Sequence, residues 1–339
     1  MTDTHLMAAW QPKPDATLRV EAVDESLPGE NEIAVHNAAL AINPADWILQ
    51  AQPVGDWMQY PMILGNDVAG EVVAIGPGVT RFAVGDRVLG QAVGCWTNTP
   101  AKGGFQTRTI LDVNLASPMP NSMTYTQACV LPLGIGTAAC GLFQTDHLGL
   151  DHPRMGAKKS GITVLVWGGA SSVGSCAIQL AVAAGYDVVT TASPKNADAL
   201  KALGAREVID YHRNDVVDAV VAAFDGHQIA GAIFTVGETG PCYDAVSRLK
   251  GNRTVASTLP IPEDKPETVT ATQIFGLTLR DNEMGKAIYE DYLPEALKNG
   301  SLKPAPAARI VGNGLDALQA ALETQKAGVS AEKIVVTLR

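Results

Sequence analysis

The clearest hydrophobic pattern of this chain lies in its middle. Residues 162–167 are almost continuously apolar and rich in β-branched side chains, as in a parallel strand covered by helices on both faces. Residues 173–184 carry apolar positions at helical spacing, and Gly185 stands where a helix commonly ends. A second apolar run follows at 187–192. The pattern therefore predicts a strand, a turn, a helix and a second strand in succession.

Further short apolar runs alternate with helical patterns along the same region. They predict strands at 207–209, 232–235, 254–257 and 270–275. Together with the two strands above they make six, the number in a complete doubly wound parallel sheet. We therefore predict an α/β fold of this kind for residues 126–284.

The regions before and after residues 126–284 have a different hydrophobic pattern. Short apolar segments between Gly and Pro residues predict strands of a mainly antiparallel unit at 32–37, 68–75, 86–89 and 105–110. The tail predicts helices at 287–299 and 315–326 and a closing strand at 333–338. Because 339 residues exceed one typical domain, we predict two: residues 1–125 with 285–339, and residues 126–284.

Composition and charge narrow the class of protein. The chain is 46% hydrophobic and 18% charged, and we expect no apolar run of membrane-spanning length. A net charge of −10 argues against nucleic acid or an anionic membrane as partner. We expect that the first residues do not act as a signal peptide, and the five cysteines include no C-x-x-C pair. We therefore expect a cytoplasmic protein with reduced, buried cysteines.

The predicted turn after the first central strand has the composition of a dinucleotide site. It reads Gly168, Gly169, Ala170, Ser171, Ser172, Val173 and Gly174, so that G-x-G-x-x-G is kept except for Ser171 in the middle position. Glycine allows a pyrophosphate to approach the N–H groups at the helix N-terminus. The alternative is an ordinary tight turn between a buried strand and a helix. The strand–helix–strand setting favours nucleotide binding.

The residues after the second strand favour NADPH over NADH. NAD sites commonly carry an acidic residue here for the ribose 2′-hydroxyl, whereas this chain has Ser193 and Lys195. A hydroxyl and an ammonium would bind a 2′-phosphate, and Tyr211, after the next strand, could add another hydroxyl. The alternative is that residues 193–196 only cap the helix predicted at 197–203.

Several local motifs resemble the medium-chain dehydrogenase/reductase superfamily over nearly the whole chain. They are similar to its NPxD turn, GHExxGxV stretch, GDRV step, LPxxGxTA helix and C-terminal strands, at 41–47, 64–72, 84–88, 131–138, 308–311 and 332–336. The resemblance implies a Rossmann domain that binds the cofactor and a GroES-like domain that binds the substrate.

The chain departs from the zinc-dependent pattern of that superfamily. Zinc alcohol dehydrogenases need three N, S or O ligands with one position open to the alkoxide. The histidine of the GHE motif is replaced here by Asn66, the NPxD turn offers Asp46 rather than a cysteine, and residues 131–136 offer no ligand. The region of the structural zinc lobe contains only Cys95. We therefore predict that the chain holds no metal.

The resemblance to the zinc-free branch, the quinone oxidoreductases and enoyl reductases, implies a function. These enzymes transfer hydride to an activated C=C bond of an enone, enal, quinone or α,β-unsaturated thioester, and the chain resembles the trans-acting enoyl reductases of polyketide pathways. The implied substrate is a small molecule, either free or tethered to a carrier protein. Two alternatives stay open: a non-catalytic NADPH-binding or redox-sensing protein, and a carbonyl or alcohol dehydrogenase.

The same resemblance implies the site residues. It puts Asn43 and Thr137 beside the nicotinamide or substrate, with Asp46 orienting a neighbour or a water. It puts Gly237 and Leu259 near the nicotinamide at strand ends. Purely structural roles are the alternatives: an Asx turn for Asn43, and a helix N-terminal hydroxyl for Thr137.

The sequence also offers candidates for the residues that line the substrate pocket. Aromatic and apolar residues are the candidates: Trp47, Trp57, Met58, Tyr60, Trp96 and Phe275. The stretch from 47 to 60 predicts a mobile loop and suggests an aromatic lid. The strand predicted at 270–275 would form a sheet edge that can pair with a second copy, so both a monomer and a homodimer are compatible with the sequence.

Overall fold

The computed structural model describes residues 6–53 and 55–338. The chain divides into two compact units. Met1–Leu133 and Ala307–Arg339 form the first, here called the split unit, and Gly134–Pro306 form the second, the central unit.

The strands are numbered in chain order: β1 Met7–Gln11, β2 Arg19–Ala22, β3 Glu32–Ala41, β4 Met62–Ile63, β5 Asp67–Ile75, β6 Arg87–Gln91, β7 Arg108–Asp112, β8 Ala116–Pro118, β9 Thr163–Trp167, β10 Asp187–Thr191, β11 Glu207–Ile209, β12 Ile229–Phe234, β13 Thr254–Ser257, β14 Thr270–Gln273, β15 Ala307–Asn313 and β16 Glu332–Thr337.

The α-helices are α1 Pro44–Ala51, α2 Gly94–Thr97, α3 Tyr125–Ala128, α4 Pro132–Phe143, α5 Ser172–Ala183, α6 Ala197–Ala202, α7 Val216–Ala223, α8 Thr239–Arg248, α9 Glu283–Gly285, α10 Leu293–Asn299 and α11 Leu318–Lys326. A π-helical segment, Lys286–Tyr292, joins α9 to α10. Short 3-10 turns lie at Pro100–Lys102, Val113–Leu115, Pro194–Asn196, Thr278–Asp281 and Leu315–Ala317.

The central unit contains the predicted doubly wound sheet. Its six strands are all parallel, in the order β11-β10-β9-β12-β13-β14. Every residue of β9 is buried, which explains why its sequence is apolar without alternation. From β9 the chain adds strands outwards to β11 on one side of the sheet, and it then returns to add β12 to β14 on the other side. The point between β9 and β12 is therefore a switch point, where doubly wound sheets bind dinucleotides. β14 forms one edge of the sheet, as predicted.

The split unit is mainly antiparallel, also as predicted. Its larger sheet runs β15-β16-β3-β5-β6-β8, with β7 also paired to β3, and a smaller sheet runs β2-β1-β4. Only the β15–β16 pair is parallel among the described strand pairs of this unit. Its core is built on Ile33, Leu40, Ile63 and Val68, whose side chains are fully buried.

The second crossing between the units comes later than the expected boundary at 284/285. The segment after α10 is bonded to α5 of the central unit: Gln179 Nε2 donates to the Lys303 carbonyl at 3.1 Å, and the Lys303 N–H donates to Gln179 Oε1 at 2.7 Å. Helical periodicity shows which face of a helix is apolar, but not which sheet that face covers. The central unit therefore extends to Pro306.

Two further expectations need correction. The stretch from 47 to 60 is not a loop throughout, because α1 includes Trp47, whose Nε1 donates to Gln325 Oε1 of α11. In addition, Tyr125–Phe143 is long and apolar enough to cross a membrane by length and composition alone, with 83% of that window buried inside the fold. A buried core helix satisfies the same criterion.

Candidate active site

The turn between β9 and α5 depends on glycine at three positions. Gly168 has a φ of +88°, which disfavours any side chain. A Cβ on Gly169 would lie 2.2 Å from Thr190 Oγ1, and a Cβ on Gly174 would lie 2.3 Å from the Gly168 carbonyl oxygen. The turn therefore has its shape because β10 and the first turn of α5 approach the backbone closely.

Ser171 occupies the position where the fingerprint expects glycine. Its φ is −73°, so no glycine is needed there, and it is the N-cap of α5. Its Oγ accepts from the Gly174 N–H at 2.9 Å and donates to Thr235 Oγ1 at 2.9 Å. The remaining predicted residues of this turn, Ala170, Ser172 and Val173, are half-buried. The helix N-terminus and the glycine backbone together fit a pyrophosphate.

The residues predicted to select NADPH lie together at neighbouring strand ends. Thr191 and Ile209, the last residues of β10 and β11, are paired in register. Ser193 Oγ donates to Tyr211 Oη at 3.1 Å, so these two hydroxyls lie side by side. Lys195 is exposed in the 3-10 turn that leads into α6. Residues 193–196 therefore lead into α6 and also present polar side chains at the surface.

Gly237 and Leu259 also lie at the carboxyl edge of the parallel sheet. They follow β12 and β13, whose ends are joined by the bond from the Thr258 N–H to the Phe234 carbonyl at 3.0 Å. Gly237 has a φ of +105°, and Leu259 is 37% exposed. Every predicted cofactor residue of the central unit is therefore found at one edge of one sheet, the edge at which doubly wound folds bind ligands.

Thr137 is the sixth residue of α4 and lies inside the helix, so it is not an N-terminal hydroxyl. It is half-buried and packs against the backbone of Gly276, where an added Cβ would come within 2.3 Å of Thr137 Oγ1. Phe275, beside that glycine, is 50% exposed.

The split unit contains a buried polar cluster of five residues: Asn43, Asp46, Asn66, Asp67 and Lys333. All are at most 3% exposed. The sheet register brings them together, since Ala41 at the end of β3 pairs with Asp67 in β5 and with Val335 in β16. Three segments distant in sequence thus contribute polar side chains to one end of the sheet.

One half of this polar cluster is centred on Asp46. Its Oδ2 accepts from the Asn43 N–H at 2.7 Å, and its Oδ1 accepts from Asn66 Nδ2 at 2.7 Å. Complete burial raises the pKa of Asp46 to about 7; the nearby Asp67 charge adds to this, while the two N–H donors and Lys333 oppose it. Asp46 therefore holds the side chain of Asn66 in place.

The other half of the polar cluster is centred on Asp67 and Lys333, which the sequence reading did not identify. Lys333 Nζ lies 2.8 Å from Asp67 Oδ2, with side chains that are 4% and 0% exposed. Asn43 Nδ2 donates to Asp67 Oδ2 at 2.9 Å, and Lys333 Nζ donates to Asn43 Oδ1. The Leu133 N–H at the start of α4 donates to Asp67 Oδ1 at 2.6 Å. A lysine directly before the apolar run of β16 was the available signal.

The side chains of the polar cluster are unlike the ligands of a zinc site. It presents two amides, an ammonium and two carboxylates, of which Asp67 is paired with the ammonium. Cys95 is near Asp46, and burial, with the charge of Asp46, raises its pKa to about 12. Across residues 6–53 and 55–338, no group of three or more His, Cys, Asp and Glu side chains is arranged to hold a metal ion.

The fold and the site define a two-domain, dinucleotide-dependent oxidoreductase. Two family models match the chain: "Alcohol dehydrogenase GroES-like domain" over residues 29–121 and "Zinc-binding dehydrogenase" over residues 172–287. The chain belongs to the medium-chain dehydrogenase/reductase superfamily, and a trans-enoyl reductase is among its relatives.

Individual relatives cover almost the full length. Dehydrogenase azaJ of Aspergillus niger is 46% identical over 341 residues, 98% of each chain. Trans-enoyl reductase himH of Aspergillus japonicus is 37% identical over 339 residues, covering 98% of this chain and 97% of that protein. The crystal structure of an alcohol dehydrogenase superfamily protein from Novosphingobium aromaticivorans superposes with a TM-score of 0.82 at 28% identity, covering 98% of this chain and all of that one.

Proposed function

We propose that this chain is an NADPH-dependent reductase that transfers hydride to an activated C=C bond without zinc. The observation that carries the proposal is the donor set of the polar cluster. Its centre is a lysine ammonium bonded to Asp67 and Asn43, and a cation at that position repels a metal ion. Asn66 is bonded to Asp46 and is a neutral amide, a poor ligand for zinc.

The residues of the central unit fit the cofactor. The N–H groups of the glycine turn and of the N-terminus of α5 would hold the pyrophosphate, and the close packing of Gly169 and Gly174 against Thr190 and the Gly168 carbonyl keeps that backbone in place. Ser193, Lys195 and Tyr211 would hold the 2′-phosphate. The nearby carboxylate of Asp210 accepts from His212 Nδ1 at 2.8 Å, so its charge is already engaged. Gly237 and Leu259 would flank the nicotinamide.

The residues retained in the chain suit reduction of a polarised double bond. Bound NADPH supplies hydride to the β-carbon of an alkene conjugated to a carbonyl. The negative charge that develops on the carbonyl oxygen needs hydrogen-bond donors rather than a Lewis acid. The donors we propose are the Asn43 amide and the Thr137 hydroxyl. Asp46 would act indirectly, by fixing Asn66 and the start of α1.

The name of the relative that is 37% identical, a trans-enoyl reductase, favours an α,β-unsaturated thioester among the acceptors. Such a substrate is carried either by a small thiol or by a carrier protein. Enones, enals and quinones share the same polarised C=C bond and are the simpler members of the proposed class.

The test is NADPH oxidation by the purified protein, dialysed against EDTA, with a quinone, an enone, an enal and an unsaturated thioester, and with NADH in parallel. The products are analysed so that C=C reduction is separated from C=O reduction. We expect chelator-insensitive reduction of the C=C bond and a preference for NADPH.

Three outcomes would contradict the proposal in different ways. Loss of turnover after chelation, restored by zinc, would overturn zinc independence. Reduction of a carbonyl, or oxidation of an alcohol, would support a carbonyl or alcohol dehydrogenase. Tight NADPH binding without turnover of any acceptor, carrier-bound thioesters included, would support a non-catalytic NADPH-binding protein.

A further inference from the structure

The side chain of Asn43 lies between two opposite buried charges. Its Oδ1 accepts from the Lys333 ammonium, and its Nδ2 donates to Asp67 Oδ2 at 2.9 Å. Turning the amide over would point its NH₂ group at the ammonium and its oxygen at the carboxylate. Both contacts would then be repulsive, so the ion pair permits one orientation only.

The carboxylate that holds the amide is itself fixed from three sides. Asp67 Oδ2 contacts Lys333 Nζ at 2.8 Å and Asn43 Nδ2, while Asp67 Oδ1 accepts from the Leu133 N–H at 2.6 Å. These donors come from β16, from the turn before α1 and from the start of α4. A carboxylate with both oxygens engaged and no exposed side-chain surface has little freedom to rotate.

One proton of the Asn43 amide is left over. The Nδ2 atom carries two protons, and among the described residues the structure gives it one acceptor, Asp67 Oδ2. The second proton therefore points in a direction set by the ion pair. A hydrogen-bond donor of fixed direction is what a developing oxyanion requires.

We propose that Lys333 and Asp67 are positioning residues, which orient the Asn43 amide so that its second Nδ2 proton serves the reaction. This inference rests on the proposed function, because it assigns Asn43 to the reduction step. It goes beyond that function in giving a role to a buried lysine and a buried aspartate. Neither is assigned contact with the substrate.

The electrostatics of the polar cluster support a pairing of Lys333 with Asp67 rather than with Asp46. The cluster contains two carboxyl groups and one ammonium. Burial and the charge of Asp67 raise the pKa of Asp46, so that Asp46 holds a proton more readily than an ordinary aspartate. With that proton bound, the cluster is neutral as a whole, and the ion pair is its only charged element.

The test compares charge removal at two buried ion pairs of the split unit. The variants Lys333→Met, Asp67→Asn and the double variant Lys333→Met/Asp67→Asn address the polar cluster. The control is Lys102→Met, because Lys102 is also buried and paired, with Glu32 Oε1 at 2.5 Å and Asp112 Oδ1 at 2.6 Å. Melting temperature, kcat and the KM for NADPH are measured for each.

Both single variants leave an unpaired buried charge, so we expect lower melting temperatures and lower kcat. The double variant removes both charges, so its melting temperature should recover towards wild type. Its kcat should nevertheless stay roughly 10- to 100-fold low, with the KM for NADPH unchanged, since the amide is no longer oriented. Lys102→Met should lose stability and keep its kcat.

A double variant that regains wild-type kcat together with stability would overturn the proposal, because the ion pair would then be purely structural. If a single variant fails to fold, Lys333→Arg takes its place, and it should retain most of the kcat because it keeps the charge. If the kcat of Lys333→Arg is as low as that of the double variant, the positive charge at this position does not orient Asn43.

A second readout does not depend on turnover, so failure of the proposed function can be distinguished from failure of this inference. In protein labelled with ¹⁵N at asparagine, the Asn43 side-chain amide signals are assigned by their loss on Asn43→Ala, in the wild type and again in the double variant, because Asp67→Asn adds an amide pair of its own. We expect one sharp pair with slow hydrogen exchange in the wild type and in Lys102→Met. In the double variant the pair should broaden or exchange rapidly. An unchanged pair there would overturn the inference even in an inactive protein.

Discussion

The glycine turn of the central unit and the polar cluster of the split unit differ in what gives them their shape. The turn uses backbone: Gly169 and Gly174 lack side chains because neighbouring atoms occupy that space. The polar cluster uses side chains, with Asp67 and Lys333 paired at 2.8 Å out of solvent. The turn arises within one short stretch of chain, whereas the cluster requires the sheet of the split unit to be complete.

This difference determines how each region should respond to mutation. Because neighbouring atoms approach the backbone of the turn so closely, a substitution that adds side-chain volume should disturb it, whereas a substitution that changes only polarity should not. A buried cluster held by charges tolerates changes in volume better than the loss of one partner, which leaves an uncompensated charge. The variants below test this contrast.

The largest effect is expected for Gly174→Val. A Cβ there lies 2.3 Å from the Gly168 carbonyl oxygen, a backbone atom that cannot rotate away. The turn must shift, and NADPH affinity should fall by at least roughly 100-fold, or about 3 kcal/mol. Isothermal titration calorimetry with NADPH measures the change.

The matched control for this variant is Gly240→Val. Gly240 also lies in the first turn of a helix of the central unit, α8, but an added Cβ would meet nothing within 4 Å. Its NADPH affinity should stay close to that of the wild type. Equal losses in the two variants would show that valine disturbs any first helical turn, and the close-approach argument would then be wrong.

The next effect concerns the pH dependence of stability. Burial raises the pKa of Asp46 from 3.8, the ordinary value of an aspartate, to about 7 in the folded protein, so between these pH values the folded state holds a proton that the unfolded state has lost. The free energy of unfolding should therefore decrease as pH rises through this interval. Relative to Asp46→Asn, the wild type should lose about 2 kcal/mol between pH 5 and pH 7. Urea unfolding at several pH values measures this difference.

Asp86→Asn is the control for that series. Asp86 Oδ2 accepts from the Ala83 N–H at 2.8 Å in a turn of the same unit, a cap similar in kind but outside the buried cluster. This variant should keep the pH dependence of the wild type. If Asp46→Asn also keeps it, then Asp46 does not titrate in this interval.

The sequence predicts the two regions to very different extents. The turn could be predicted, because strand, glycines and helix are adjacent and each leaves a local pattern. Asn43 and Asp46 were found through their motif, yet Asp67 and Lys333 were not. Their pairing depends on the register of β3 with β5 and β16, which no local pattern reveals. The late boundary at Pro306 has a similar cause, since the contact of Lys303 with Gln179 joins residues far apart in sequence.

A smaller effect is expected at the surface beside the turn. Lys195 is exposed two residues after Ser193, whose hydroxyl is bonded to Tyr211, and we propose that it makes one charged contact to a 2′-phosphate. Lys195→Ala should weaken NADPH binding roughly tenfold and leave NADH binding unchanged. Lys159→Ala removes the same charge from a side chain that is 86% exposed, before β9 at the other end of the strands. Equal losses in both variants would indicate a general effect of net charge.

The smallest effect is expected for Ser171→Gly, which restores the regular glycine fingerprint. The variant loses the bonds of Ser171 Oγ with Gly174 and Thr235, so the free energy of unfolding should fall by about 1 kcal/mol. NADPH affinity should change by less than about threefold, because the turn gains space without losing an N–H group. Ser171→Ala, which removes the hydroxyl but keeps the Cβ, is the comparison. If both variants bound NADPH more than about tenfold more weakly, the hydroxyl itself would be a cofactor ligand. The turn would then depend on a side chain, as the polar cluster does.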